Sequence, residues 1–148
     1  MSSHVHPDES LGFALKRLQQ ILRTRMDATL ATYTLTTPQY AVLALLAEHP
    51  GMSNAELARR SFVAAPTMLR IVDGLTEAGL ITRADPAPEH RARGTALTNL
   101  GRKRLAQASP QVQNYENLLL ANTAPEHVEV IMAWLRACAN QLGEQPLP

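Results

Sequence analysis

The stretch that most restricts how this chain can fold lies between Ser53 and Leu97. Ser53-Asn54-Ala55-Glu56 sets a hydroxyl three residues before a glutamate, the spacing at which each side chain satisfies the other's backbone N–H at a helix start. The short helix opened there carries Leu57, Ala58 and Arg60, and Ser61-Phe62-Val63-Ala64 follows as a brief turn. A second helix is predicted over residues 65–78, with Met68, Ile71, Val72 and Leu75 on its buried face and Gly79 as its C-terminal cap. Two short helices joined by a tight turn make a helix-turn-helix. Past Gly79 the periodicity becomes that of a strand. Leu80-Ile81-Thr82-Arg83 and residues 91–98 predict a β-hairpin, with a turn-rich loop from Asp85 to His90 between them.

Helices flank this module on both sides. Residues 10–32 carry Leu11, Leu15, Leu18, Leu22 and Met26 at helical spacing, with Ala14 and Ile21 beside them. Thr36-Thr37-Pro38-Gln39 predicts a capping box with proline in the first turn, where its missing N–H costs nothing. That helix bears Tyr40, Val42, Leu43, Leu45 and Leu46 and stops at Pro50-Gly51. After the hairpin, Thr98 should cap a long helix through Leu105, Val112, Tyr115 and Leu118, kinked at Pro110. Thr123-Ala124-Pro125-Glu126 predicts a third capping box before a final helix bearing Val128, Ile131, Leu135, Cys138 and Leu142. The expected fold class is mainly α with a small β-hairpin wing. It forms one domain over 1–148: a winged helix-turn-helix lobe at 34–100 between dimerisation helices at 10–32 and 101–143. The stripes of the terminal helices exceed what so small a lobe covers, so a homodimer is expected to bury them.

Charge is uneven along the chain. The net charge of +1 divides into 0 over residues 1–52, +4 over 53–104 and −3 over 105–148. Twelve of the fourteen basic residues are arginine, whose planar fork suits phosphates and guanine edges. Helix 65–78 turns Ala65, Pro66, Thr67, Leu69, Arg70 and Asp73 away from its buried face. Arg70 can reach a guanine edge or a phosphate and Thr67 a base or phosphate oxygen, unless Arg70 is an ordinary surface arginine paired with Asp73. The helix begins without a capping side chain, so its first N–H groups are left for water or a DNA phosphate. Arg91 and Arg93 alternate along the returning strand and suit a narrow minor groove. Ser53, Asn54 and Arg83 complete the candidate contacts to double-stranded DNA. A winged-helix module used for protein interaction is the competing reading.

Other chemistry finds no support. Cys138 is the single cysteine, so neither an internal disulfide nor a cysteine-based zinc site can form, which suits a reducing cytoplasm. Its place on the apolar face of the last helix predicts a buried thiol rather than a redox sensor. The histidines are scattered, and no nucleophile–base arrangement, phosphate loop or paired carboxylates occur. No catalytic residue, metal or cofactor is expected, and no apolar run approaches the ~20 residues that span a bilayer.

Leu35-Thr36-Thr37-Pro38-Gln39-Tyr40, Ser53-Asn54-Ala55-Glu56-Leu57-Ala58, the run from Arg70 to Arg83, and Ala96-Leu97-Thr98-Asn99-Leu100-Gly101 together resemble the MarR family of bacterial regulators. The likeness extends over about residues 10–142. It implies an obligate homodimer with intertwined terminal helices, usually a repressor, released from DNA in many members by small phenolic ligands or cysteine oxidation. It also implies an effector pocket between the DNA-binding lobe and the dimerisation helices, here drawing on Phe13, Arg17, Tyr33 and Tyr40. Two positions depart from the pattern. Glu89-His90-Arg91 replaces the usual Asp-x-Arg wing tip, and Gly74 stands where a longer, often basic residue is common.

Overall fold

The computed structural model describes residues 5–83 and 94–144. Its elements are α1 (Leu11–Leu30), α2 (Thr37–Glu48), α3 (Asn54–Arg60), α4 (Ala65–Glu77), β1 (Ile81–Arg83), β2 (Thr95–Leu97), α5 (Asn99–Leu120) and α6 (Pro125–Glu144). Single 3₁₀ turns occupy Pro7–Glu9 and Ala31–Tyr33. The chain divides into two compact units, Met1–Val112 and Gln113–Pro148.

In the first unit the helix starts follow local side-chain chemistry. Both predicted capping boxes form. Thr36 Oγ1 accepts from the Gln39 N–H at 3.4 Å while Gln39 Oε1 accepts from the Thr36 N–H at 2.9 Å. Ser53 Oγ accepts from the Glu56 N–H at 3.2 Å and Glu56 Oε2 from the Ser53 N–H at 2.8 Å. Those hydrogen bonds from Ser53 hold the Glu56 carboxyl below its ordinary range. Each cap contributes about 1 kcal/mol.

A carboxylate from a different helix reinforces the start of α2. Asp27 Oδ1 accepts from the Thr37 N–H at 2.8 Å and from its hydroxyl at 2.6 Å. Arg23 Nε lies 3.7 Å from the other carboxylate oxygen. Burial pushes the Asp27 carboxyl up, but the Thr37 hydrogen bonds and the Arg23 charge outweigh it and hold the group below its usual value. Asp27 therefore fastens the end of α1 to the positive end of α2.

Three helical segments in this unit close with the same backbone device, in which the N–H following a left-handed residue reaches back five positions. Leu35 donates to the Leu30 carbonyl at 3.1 Å, Val63 to that of Ala58 at 3.0 Å, and Leu80 to that of Leu75 at 3.0 Å. The left-handed residues are Thr34 (φ 57°), Phe62 (φ 54°) and Gly79 (φ 70°). Glycine adopts this conformation freely, whereas a residue with a Cβ is strained by roughly 1–2 kcal/mol. The C-terminal lock at Gly79 matches the sequence expectation. Thr34 and Phe62 are positions where the fold imposes the same geometry without glycine.

β1 and β2 pair antiparallel, Ile81 opposite Leu97 and Arg83 opposite Thr95. A third segment joins their edge: the Gly51 N–H donates to the Thr95 carbonyl at 2.9 Å and the Thr95 N–H to that of Met52 at 3.2 Å. Gly94 passes so close to Gly51 that a Cβ there would meet its Cα at 2.9 Å. The core gathers Leu30, Leu43, Leu46, Leu57, Met68, Val72, Leu75, Leu80, Ile81 and Ala108, taking side chains from every helix of the unit and from the hairpin. By contrast Leu11, Phe13, Leu15, Leu18 and Ile21 of α1 are exposed. α5 runs unbroken through Pro110, which removes one backbone donor from the helix ladder.

The second unit comprises the last turns of α5 and all of α6. α6 begins at Pro125, so Ala124 takes the cap position and Thr123 falls one residue too early for the box predicted there. Cys138 is half-buried, as are Val128 and Leu135, rather than fully buried as expected. Val130, Ile131, Met132, Trp134 and Leu142 of α6 and Leu118, Leu119 and Leu120 of α5 are exposed.

Candidate nucleic-acid interface

The second helix of the helix-turn-helix sorts its faces as its sequence demands. α4 buries Met68, Val72 and Leu75 and leaves Ala65, Pro66, Thr67, Leu69, Arg70 and Asp73 exposed. Its cap residue is Ala64, which has no side chain to accept from the first N–H groups, and Pro66 in the first turn brings none of its own. The N–H groups of Ala65 and Thr67 are thus left at the positive end of the helix dipole, where an anionic oxygen is favourably placed.

Asp73 does not pair with Arg70. Its Oδ1 instead accepts from Arg83 Nη2 of β1 at 3.2 Å, an ion pair between two partly exposed side chains. Among the described residues Arg70 has no carboxylate within salt-bridge distance. The one local arrangement that would have made it an ordinary surface arginine is absent. Arg83 is tied to the exposed side of α4, ten residues away in sequence, and no local pattern announces that contact. Ser53 and Asn54 lie half-exposed at the start of α3, with the Ser53 hydroxyl engaged in its capping box. Arg91 and Arg93, with the remainder of the wing tip, lie outside the described residues.

The hairpin is fixed to α5 by one polar hinge. The Thr98 N–H donates to the Leu80 carbonyl at 3.1 Å and its hydroxyl to that of Gly79 at 2.6 Å, while Thr98 Oγ1 accepts from the Gly101 N–H at 3.0 Å. These bonds tie the base of the hairpin to the first turn of α5 and to the residues that close α4.

Among the described residues, the four expected to line an effector pocket border different features of the surface. Phe13 and Arg17 line an open groove of about 570 Å³ along α1 with Pro7, Asp8, Leu18 and Ile21. Tyr33 borders a separate depression of about 560 Å³ beside Arg104, whose Nη1 donates to the Tyr33 carbonyl at 2.8 Å. Tyr40 packs against the core, its hydroxyl donating to Ser109 Oγ at 3.2 Å. Neither depression includes Tyr40.

A helix, a helix-turn-helix and a short β-hairpin around one core, with an exposed and uncapped second helix, define a winged helix-turn-helix protein. A profile of the MarR family matches residues 35–87. The HTH-type transcriptional repressor Rv2887 of Mycobacterium tuberculosis (strain H37Rv) is 33% identical over 123 residues, which cover 82% of this chain and 88% of that protein. Its structure in complex with salicylic acid aligns at 27% identity and a TM-score of 0.69 over 93% of this chain and 99% of that one. A MarR family regulator from Silicibacter pomeroyi DSS aligns at 26% identity and a TM-score of 0.82, covering 95% and 92% of the two chains. The transcriptional repressor CouR, solved bound to a 23-mer DNA duplex, aligns at 28% identity and a TM-score of 0.79 over 93% and 99%. The chain belongs to the MarR family. It is a transcriptional regulator of the DNA-binding winged-helix class, and that family is one of regulators rather than enzymes.

Proposed function

We propose that this protein is a cytoplasmic repressor that binds a pseudo-palindromic operator as a homodimer and leaves it when a small aromatic or phenolic effector binds. The observation that carries the reading is α4: an apolar face locked into the core, and an outer face of Pro66, Thr67, Leu69 and Arg70, which has no ion-pair partner among the described residues, beside backbone donors left without a cap. Thr67 and Arg70 read base edges and Pro66 and Leu69 touch thymine methyls. The α4 N-terminus, Ser53 and Asn54 hold phosphates. Arg91 and Arg93 enter the minor groove, and Arg83 leaves Asp73 to reach the backbone. The lobe at 34–100 is the reading module. The helices at 10–32 and 101–143 dimerise it, burying the apolar side chains that α1, α5 and α6 leave exposed.

CouR, solved on a duplex, and Rv2887, solved with salicylic acid, support the DNA and effector parts of this reading. Phe13 and Arg17 offer an aromatic acid a ring and a cation in one groove. Closing that groove with Tyr33 and Tyr40 falls to the second subunit or to effector-induced movement. Titrating salt against binding to the promoter fragment beside the protein's own gene tests the proposal. A steep linear fall of log affinity with log salt is expected from several phosphate contacts, with Arg70→Ala losing about tenfold or more on that fragment and little on unrelated DNA. Salt-insensitive or absent duplex binding would leave the protein-interaction reading instead.

A further inference from the structure

Away from α1 and α4, a third concavity lies where the C-terminal half of α2 meets α3 and the turn that follows it. The groove holds about 730 Å³. Its floor is apolar, from Ala41, Ala44 and Leu45 of α2 and from Phe62 of the turn, and its rim carries Arg59 and Arg60. Three features set it apart from an ordinary surface crease. Phe62 is 96% exposed, so its ring gains nothing from the core. Its backbone holds the left-handed conformation that Gly79 adopts in the equivalent lock of α4, so the chain keeps an aromatic where glycine would relax it. The Ser61 hydroxyl in the lining is buried and has no hydrogen-bond partner among the described residues.

The charges around the groove point one way. Among the described residues neither Arg59 nor Arg60 has a carboxylate within salt-bridge distance, although the Glu56 carboxylate, hydrogen-bonded by Ser53, lies within reach of both their charges. His49 also lines the groove, and Glu48 is the single acid of the lining. An exposed aromatic flanked by arginines that form no ion pair among the described residues is the composition of protein-interface anchors. Phosphates would answer the arginines but leave the Leu45–Phe62 floor unmatched. An acidic chain with apolar side chains on one face answers both.

We propose that this groove docks an acidic, amphipathic helical segment of a partner protein, with Phe62 as the anchor and Arg59 and Arg60 pairing its carboxylates. The surface is composed of residues other than those assigned to the operator.

The test uses a synthetic amphipathic helical peptide with Glu and Asp on one face and Leu and Trp on the other, and a counterpart with Lys at every acidic position. Each is titrated into the full-length, isotope-labelled protein. The expected result is saturable binding of the acidic peptide, with chemical-shift changes centred on Leu45, His49 and residues 59–63. Phe62→Gly, which relieves the backbone and keeps the fold, and Arg59→Glu should each weaken that binding by about tenfold or more. Operator affinity of Phe62→Gly should stay within about twofold, since its ring is not among the residues assigned to the operator. Equal binding of the lysine peptide, no binding of the acidic one, or an unchanged affinity in Phe62→Gly would overturn the proposal. A tenfold loss of operator affinity in Phe62→Gly would also overturn it, reassigning the ring to DNA.

Discussion

A single methyl group added at either of two glycines should have opposite effects on stability. A Cβ at Gly101, in the first turn of α5, would fall far inside van der Waals contact distance of the Leu80 carbonyl oxygen and 2.9 Å from its carbonyl carbon. The obstacle is backbone, so no side-chain rotation relieves it. α5 must retreat by roughly 1.5 Å to reach ordinary contact near 3.5 Å, which is an overpacking cost of about 1–3 kcal/mol. The retreat also stretches the Thr98 bonds to Leu80 and Gly79, each contributing about 1 kcal/mol. Alanine's better helix propensity returns only about 1 kcal/mol. The net loss for Gly101→Ala is about 3 kcal/mol, or a Tm lower by roughly 6–12 °C. At Gly74, in the middle of α4, the nearest atom to a new Cβ is Gln39 Nε2 at 3.9 Å, and the backbone is ordinary helix. Gly74→Ala should therefore stabilise by about 0.5–1 kcal/mol. Urea denaturation at one fixed protein concentration reads both, because linked subunit association moves the midpoint with concentration. A Gly101→Ala protein within about 0.5 kcal/mol of wild type would refute the packing of α5 on the hairpin described above.

Other outcomes follow from the same contacts. Asp27→Asn should flatten the acid limb of the stability–pH curve. Its carboxyl is held below the ordinary range when folded, so the unfolded chain binds more protons there. The stabilisation is present above the ordinary carboxylate pKa and lost as pH falls through the lowered folded value. Denaturant midpoints between pH 3 and 7 check it, and an unchanged slope would remove Asp27 as the clamp between α1 and α2. Phe62→Gly should raise stability by about 1 kcal/mol by relieving the left-handed conformation, measured by the same denaturation. Leu18→Asp, placed on the exposed stripe of α1, should convert a dimer to monomers by light scattering, and a persistent dimer would exclude α1 from the interface. Arg91→Ala should weaken operator and non-operator DNA alike, read by fluorescence anisotropy at matched salt.

What the sequence disclosed and what it withheld divide along a physical line. The boxes at Thr36–Gln39 and Ser53–Glu56, the lock at Gly79 and the two faces of α4 are contacts within a few residues. Their chemistry is written in consecutive side chains, and the structure has them where expected. The contacts that bring elements together were not legible. The Met52–Thr95 bridge is a single-residue pairing without periodicity, and the Asp27–Thr37 and Arg83–Asp73 contacts join different elements. Gly101 reads in sequence as an ordinary helical glycine, and only the approach of Leu80 explains it. Phe62 reads as a turn residue, with nothing local to show its left-handed backbone. The box expected at Thr123 failed because α6 begins one residue later, at Pro125. The buried and exposed faces of α4 were thus visible in advance, whereas the placing of residues from distant segments was not. Phe13, Tyr33 and Tyr40 come from separate segments whose meeting depends on contacts no pattern encodes.

The claim on which the functional account rests is that two copies of α4 read one duplex together. Dimethyl sulfate protection of guanine N7 on the native operator reports major-groove occupancy base by base. The account predicts two protected clusters centred about 10 base pairs apart on one face of the duplex, both lost in Arg70→Ala. A single protected cluster, or two that persist without Arg70, would contradict it.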